Sequence, residues 1–147
     1  MKQCVGKRHV GLLVKFLNNA ISKEVNSKLT KFNLTGAQHE VLVYILKNEK
    51  KRDVFQKDIE QHLKLKNPTV TGIIKRLEEK KMIVRCASHE DARYKKLNLT
   101  EEGHEVLHKC FHEGIMSVET KLIQGMTNEE VRQFKDYLNI ALKNLED

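Results

Sequence analysis

Tryptophan is absent from this chain of 147 residues, proline occurs once, and aromatic residues make up 5%. So few breakers, beside 32% charged residues, read as a helix-rich soluble protein. No stretch approaches the length of a membrane span, so no membrane partner is expected. The opening MKQCVGKRHVG has no continuous apolar run of the kind a signal peptide needs, and a cytoplasmic location is the expectation. The three cysteines, Cys4, Cys86 and Cys110, form an odd set without CxxC spacing, which argues against a secreted disulfide scaffold. There is no nucleophile turn, Gly-rich phosphate loop or close carboxylate pair, and an enzyme is not expected. Internal repeats and low-complexity segments are missing too.

What is present is charge and helical periodicity. At 39% hydrophobic, the chain fits one domain with a real core, from which long helices can extend. A net charge of +7 and a pI near 9.3 favour a polyanionic partner, because neutralising phosphates releases counterions.

The stretch NPTVTGIIKRLEEK, from Asn67 to Lys80, organises the rest. Val70, Ile73, Ile74 and Leu77 fall at i, i+3, i+4 and i+7, one apolar stripe along an α-helix. The opposite face carries Pro68, Gly72, Lys75 and Glu79, flanked by Thr69, Thr71 and Arg76. It is small, hydroxylated and basic, as a major groove requires of a helix that must approach base edges. Asn67 is expected as N-cap, with Pro68 at the first helical position. Upstream, Phe55, Ile59 and Leu63 mark a shorter helix, joined by Lys64-Leu65-Lys66, a turn short enough for a helix-turn-helix. Downstream, Met82 to Arg85 and Tyr94 to Leu99 read as two strands around a polar tip from Ser88 to Arg93. Helix, turn, helix and hairpin is the order of a winged helix-turn-helix.

Around this middle lie longer helices. The first runs from about Val10 to Leu29, with Val10, Leu13, Phe16, Leu17, Ala20, Ile21 and Val25 on one stripe. Thr35 and Gln38 form a capping box that opens a second helix to about Lys47, with Val41, Leu42, Ile45 and Leu46 as core. Asp53 is placed to cap the Phe55 helix, with Gln56 three residues on. Thr100, followed by Glu101 and Glu102, starts a helix to about Gln124 carrying Val106, Leu107, Cys110, Phe111, Ile115, Val118 and Leu122, and Gly125 ends it. Thr127 and Glu130 make another capping box for a last helix to about Leu145.

The runs LTGAQHEVLVYIL from Leu34, VFQKDIEQHLKLKNPTVTGIIKRLEEKKMIVR, and HEDARYKKLNLTEEG together resemble the MarR-type transcriptional regulators. The most specific piece is the wing, where Asp91, Arg93, Leu97, Leu99 and Thr100 stand in the pattern D-x-R-x-x-x-L-x-L-T. The resemblance implies a mainly α fold with a small β-hairpin. It places a winged helix-turn-helix at 35–99, with 1–34 and 100–147 as helical dimerisation segments intertwined with it. It implies a homodimer on a pseudo-palindromic operator in double-stranded DNA, released by a small ligand such as an aromatic compound, by a metal or by thiol oxidation. The family pattern has Gly where this chain has Lys81, which predicts a left-handed residue there at a cost of about 1 kcal/mol.

For DNA contact we assign Thr69, Thr71, Lys75 and Arg76 on the recognition helix to base edges and nearby phosphates, with Asn67 divided between capping and phosphate and Pro68 beside it on the DNA-facing surface. Arg93 is expected to enter the minor groove with Asp91 orienting it, and Arg85, Lys95 and Lys96 to touch the backbone. No cofactor is required by this reading. Zinc is a candidate through His104, His108 and His112, which recur at i, i+4 and i+8, with His39 and Glu40 as further ligands. Packed or flanking histidines are the simpler account. Cys86, beside Arg85, is the redox candidate, while Cys110 on an apolar stripe is a small core residue. A winged-helix adapter that binds protein rather than DNA is the competing function, but it gives Lys75, Arg93 and the positive charge no task.

Overall fold

A computed structural model describes residues 9–89 and 91–146, so Cys4, named above, lies outside the described residues. Helix α1 (Val10–Thr30) starts beneath His9, whose Nδ1 accepts the Leu12 N–H at 3.2 Å. The Thr35 and Gln38 capping box forms as expected and opens α2 (Gly36–Asn48). Helix α3 (Gln56–Leu63) is capped differently from the expectation. Asp58 Oδ2 accepts the Phe55 N–H at 2.8 Å, and Asp53 instead meets Ser88 Oγ at 3.2 Å and Lys96 Nζ at 3.6 Å. Asp58, already in the first turn, can reach back to the orphan donor, and the loop carries Asp53 across to the hairpin.

Lys64 adopts a left-handed conformation (φ 55°), which stops α3 and turns the chain into α4 (Asn67–Glu79). The start of α4 lies one residue before the expected position. Lys66 occupies the cap position without a side-chain bond, Asn67 is already helical, and Pro68 is the second helical residue. The fixed φ of proline and its missing N–H suit that position equally well, since all of the first turn lacks intrahelical acceptors.

Strands β1 (Ile83–Ala87) and β2 (Lys95–Leu99) pair antiparallel, Ile83 opposite Leu99 and Ala87 opposite Lys95. The Leu97 N–H also donates to Val54 O at 2.7 Å, so the loop before α3 lies along the hairpin like a minimal third strand. Thr100 then caps α5 (Glu101–Lys109) by accepting the Gly103 N–H at 3.0 Å.

The expected single helix to Gln124 is continuous but not uniform. Residues Cys110–Ile115 are π-wound between α5 and α6 (Met116–Leu122), and the helix stops two residues earlier, before Gly125 at φ 87°. Within the wider turn Cys110 and Gly114 are buried, while Phe111, one of the apolar residues expected along this helix, is 49% exposed. The Thr127 and Glu130 box opens α7 (Asn128–Leu145) as expected, and α7 buries none of its residues.

The core is one cluster. Val41, Leu42 and Ile45 from α2, Ile59 from α3, and Val70, Ile74 and Leu77 from α4 have no accessible surface, and Val54, Met82, Ile83, Leu97, Leu99, Leu107 and Cys110 join them. Leu29 and Leu34, from the segment preceding the winged unit, pack into the same cluster. At the far end of α4, Lys80 Nζ donates to Asn33 O at 2.5 Å and Gln38 Oε1 at 2.7 Å, tying the recognition helix to the α1–α2 turn.

Two backbone positions define the exit from α4. Lys81 is left-handed at φ 59°, as expected from the missing glycine. Gly103 lies so near the chain that a Cβ would sit 2.1 Å from Met82 O, an oxygen already accepting the Thr100 N–H at 3.1 Å. Lys81→Gly should therefore raise stability by about 1 kcal/mol, whereas Gly103→Ala should cost roughly 1–3 kcal/mol or more. Urea unfolding of both variants beside the wild type measures this, and a Gly103→Ala protein as stable as wild type would show the contact to be slack.

Candidate nucleic-acid interface

Because α4 turns Val70, Ile74 and Leu77 inward, the 3.6-residue period leaves Thr69, Thr71, Lys75 and Arg76 exposed on its other side, together with Asn67 and Pro68 near its start. All six recognition-helix residues singled out from sequence therefore lie on accessible helix surface. A Cβ built at Gly72 meets nothing within 4 Å, so packing inside the protein does not call for glycine there. A helix seated deep in a groove does, since each methyl on the approaching face holds the backbone away.

Sequence reasoning passed over one residue of this surface. Gln56, read as part of a cap, instead points from the start of α3 to α4. Its Nε2 donates to Thr71 Oγ1 at 2.8 Å and reaches Asn67 O at 3.5 Å, while Thr71 Oγ1 donates to Asn67 Oδ1 at 3.4 Å. The available signal was its place on the first turn of the helix that crosses α4, a long amide where a cap had already been assigned.

At the wing tip, Asp91 and Arg93 form the expected pair. Arg93 Nε and Nη2 meet the two carboxylate oxygens at 3.1 and 2.8 Å, and the Arg93 N–H donates to Asp91 Oδ1 at 3.0 Å. The Arg93 side chain remains 86% exposed, so it is oriented without being covered. Bonding to Arg93 holds the Asp91 carboxyl below its usual range. The pair is thus intact at neutral pH and is lost as pH falls through that lowered value.

The flanking cations divide. Lys95 is exposed, but Arg85 Nε pairs with Glu78 Oε1 at 2.7 Å and braces the hairpin against α4. Lys96 faces Asp53 with only 18% of its side chain exposed. Both side chains thus have carboxylate partners within the fold, Arg85 while remaining exposed and Lys96 while largely covered.

The zinc candidates take separate partners in this structure. Glu40 turns to His62 at 2.9 Å, His104 pairs with Glu49 at 3.2 Å, and the rings of His108 and His112 lie 4.3 Å apart. Among the described residues no three His, Cys, Asp or Glu side chains converge on a metal-sized site. Shared helix periodicity places His104, His108 and His112 near one another, yet His39 and Glu40 do not close a shell around them.

Cys86 is half-buried in β1, with Asn98 Nδ2 3.9 Å from its sulfur. Arg85, the cation that suggested a reactive thiol, is already paired with Glu78. Cys110 is buried, and burial, with the nearby Glu113 carboxylate, pushes its thiol pKa up. A thiol-alkylating reagent should leave Cys110 unmodified in the native protein and modify it in urea, as peptide mass spectrometry will show; native labelling would contradict its place in the core.

A second feature lies between α2 and α5. A cleft of about 1000 Å³ is lined by Val43, Leu46 and Phe111 among apolar residues and by His39, His104 and His108 among polar ones. Burial lowers the pKa of His39 and so favours the neutral ring, an effect that the Glu40 carboxylate partly counters.

Comparison with known proteins places this architecture. A family model described as MarR family matches residues 32–93. The uncharacterized HTH-type transcriptional regulator YwoH of Bacillus subtilis is 32% identical over 123 residues, 84% of this chain and 86% of YwoH. MepR, a transcription regulator of the Staphylococcus aureus multidrug efflux pump MepA, superposes with a TM-score of 0.83 at 25% identity, covering 95% of this chain and 100% of that one. The S. aureus MepR–DNA complex gives 0.70 at 25% identity, over 94% and 97%.

Gly72 separates stability from recognition. Gly72→Ala should stabilise the helix by about 1 kcal/mol, since alanine is the better helix former and meets no obstruction, while lowering affinity for DNA. Thermal unfolding and a fluorescence titration read the two effects separately. Unchanged affinity would mean that this face does not approach the groove closely.

Proposed function

Since the chain belongs to the MarR family of winged helix-turn-helix transcriptional regulators, which are not enzymes, we propose that it is a homodimeric repressor. In this reading it occupies a pseudo-palindromic operator and leaves it when a small ligand fills the cleft between α2 and α5. The observation that carries the reading is the open face of α4. The helix spends its whole apolar stripe on the core and presents small, hydroxylated and cationic residues outward. Thr69, Thr71, Lys75 and Arg76 then meet base edges and adjacent phosphates, and Arg93 enters the neighbouring minor groove. MepR, similar in fold along its whole length, has been captured in complex with DNA.

Two further features support the finer points. In α7, Tyr137, Ile140, Leu142 and Leu145 are 58–86% exposed, and near the start of α1 so are Val10, Leu13 and Val14 to a substantial degree. Apolar surface of this extent on terminal helices is best covered by a second copy, which also supplies the two-fold axis that a palindrome demands. The cleft has the mixed lining that suits a small aromatic effector, an apolar wall with histidines able to bond its polar substituents. A ligand wedged between α2 and α5 acts on the spacing of the two recognition helices, and only one spacing fits successive major grooves.

The test is binding to a duplex from the protein's own promoter region, titrated in salt. Wild type should bind specifically at physiological salt, and Arg93→Ala should lower affinity about tenfold and reduce the salt slope by roughly one. Wild-type binding no tighter than to random DNA, combined with no enriched sequence in a random-site selection, would sink the operator reading and favour the adapter. For the assembly, sedimentation should show a dimer, with Ile140→Asp shifting it toward monomer and weakening operator binding. A monomeric wild type would overturn the homodimer.

A further inference from the structure

Three side chains on the DNA side of the helix-turn-helix form a directed chain of hydrogen bonds. Gln56 Nε2 donates to Thr71 Oγ1 at 2.8 Å and to Asn67 O at 3.5 Å. A backbone carbonyl only accepts, so the nitrogen end of the Gln56 amide is the end that faces α4. Thr71 Oγ1 in turn donates to Asn67 Oδ1 at 3.4 Å.

This arrangement changes what Thr71 can say to a base. A lone threonine hydroxyl rotates, offers a proton or a lone pair as required, and bonds to any base edge. Here its proton is committed to Asn67 and one lone pair is filled by Gln56. What remains to face outward is the second lone pair.

We propose that Gln56 is a specificity-determining positioning residue: by polarising the Thr71 hydroxyl it makes Thr71 an acceptor toward DNA, so the base opposite Thr71 presents an amino group. In the major groove that means the N6 amino of adenine or the N4 amino of cytosine, and it disfavours guanine and thymine, which offer acceptors there. The inference rests on the operator-binding reading above. A purely structural task for Gln56 explains less. The α3–α4 contact is already made by Ile59, Val70 and Ile74, all fully buried. Thr71 and Asn67 are exposed, so water would satisfy their polar groups without any help from Gln56.

The experiment is a random-site selection with sequencing on wild type, Thr71→Ala, Gln56→Met and Gln56→Ala, with circular dichroism melting as the check on folding. Thr71→Ala identifies the base position that Thr71 governs. There the wild type should prefer adenine or cytosine by about fivefold, and both Gln56 variants should relax that preference toward parity while retaining the rest of the site. Guanine or thymine at that position would overturn the proposal, as would a preference unchanged in both Gln56 variants, or a Thr71→Ala site identical to wild type. If the wild type enriches no sequence at all, the operator reading falls and takes this inference with it. A wild-type site that fails only the Gln56 comparison leaves the operator reading standing.

Discussion

The burial of one side of α4 is the constraint on which the rest depends. Val70, Ile74 and Leu77 have no accessible surface, and each such side chain contributes about 1.5–3 kcal/mol by leaving water. Their partners come from every other element of the winged unit: Ile59 from α3, Val41, Leu42 and Ile45 from α2, Leu97 and Leu99 from the hairpin. A helix with so many neighbours on one side has a single rotational setting. Its opposite side is therefore presented at a fixed angle, and the Lys80 bonds to Asn33 and Gln38 hold its far end to the α1–α2 turn.

Charge is partitioned along the same division. Arg85 with Glu78, Lys96 with Asp53, and Arg52 with Asp58 spend cations on tying elements together. Lys75, Arg76 and Lys95 remain on the surface, and Arg93 is held by Asp91 but largely exposed. Individual surface pairs of this kind add little stability, so their effect is chiefly geometric: they fix which cations are presented and which are not. The net charge of +7 describes attraction to a polyanion in general, whereas this sorting sets which cations lie free of an internal carboxylate at the surface.

How far this was legible in the sequence follows from which forces are local. The stripe of α4, the Thr35 and Thr127 capping boxes and the Asp91–Arg93 pair depend on residues a few positions apart, and all were readable; the stripe of α2 was readable except for Leu46, which faces the cleft and not the core. The left-handed Lys81 was readable too, since a missing glycine at a helix exit has one meaning. Reading failed where a long-range partner competes with a local one. Asp53 looked like a cap and found Ser88 and Lys96 across the fold, and the carboxylate partners of Arg85 and Lys96 were not foreseen. Gln56 was missed for the same reason, its partner Thr71 lying on another helix. The histidines show the converse, a true local spacing for which no three metal-ligating side chains converge among the described residues.

The π-wound turn at Cys110–Ile115 has a consequence for how this helix can change over evolutionary time. In an ordinary α-helix, gaining or losing one residue rotates everything beyond it by about 100°, and such changes are rarely tolerated. A π-wound turn closes its bonds from i to i+5, so it accommodates one residue more than an α turn. It uncouples the two ends: α5, which follows the wing, and α6, which lies against α1, need not share one heptad frame. Alignments that carry a single frame through this region will misassign faces on one side of it. A chimera joining this winged unit to another protein's terminal helices should accordingly be cut at the wide turn.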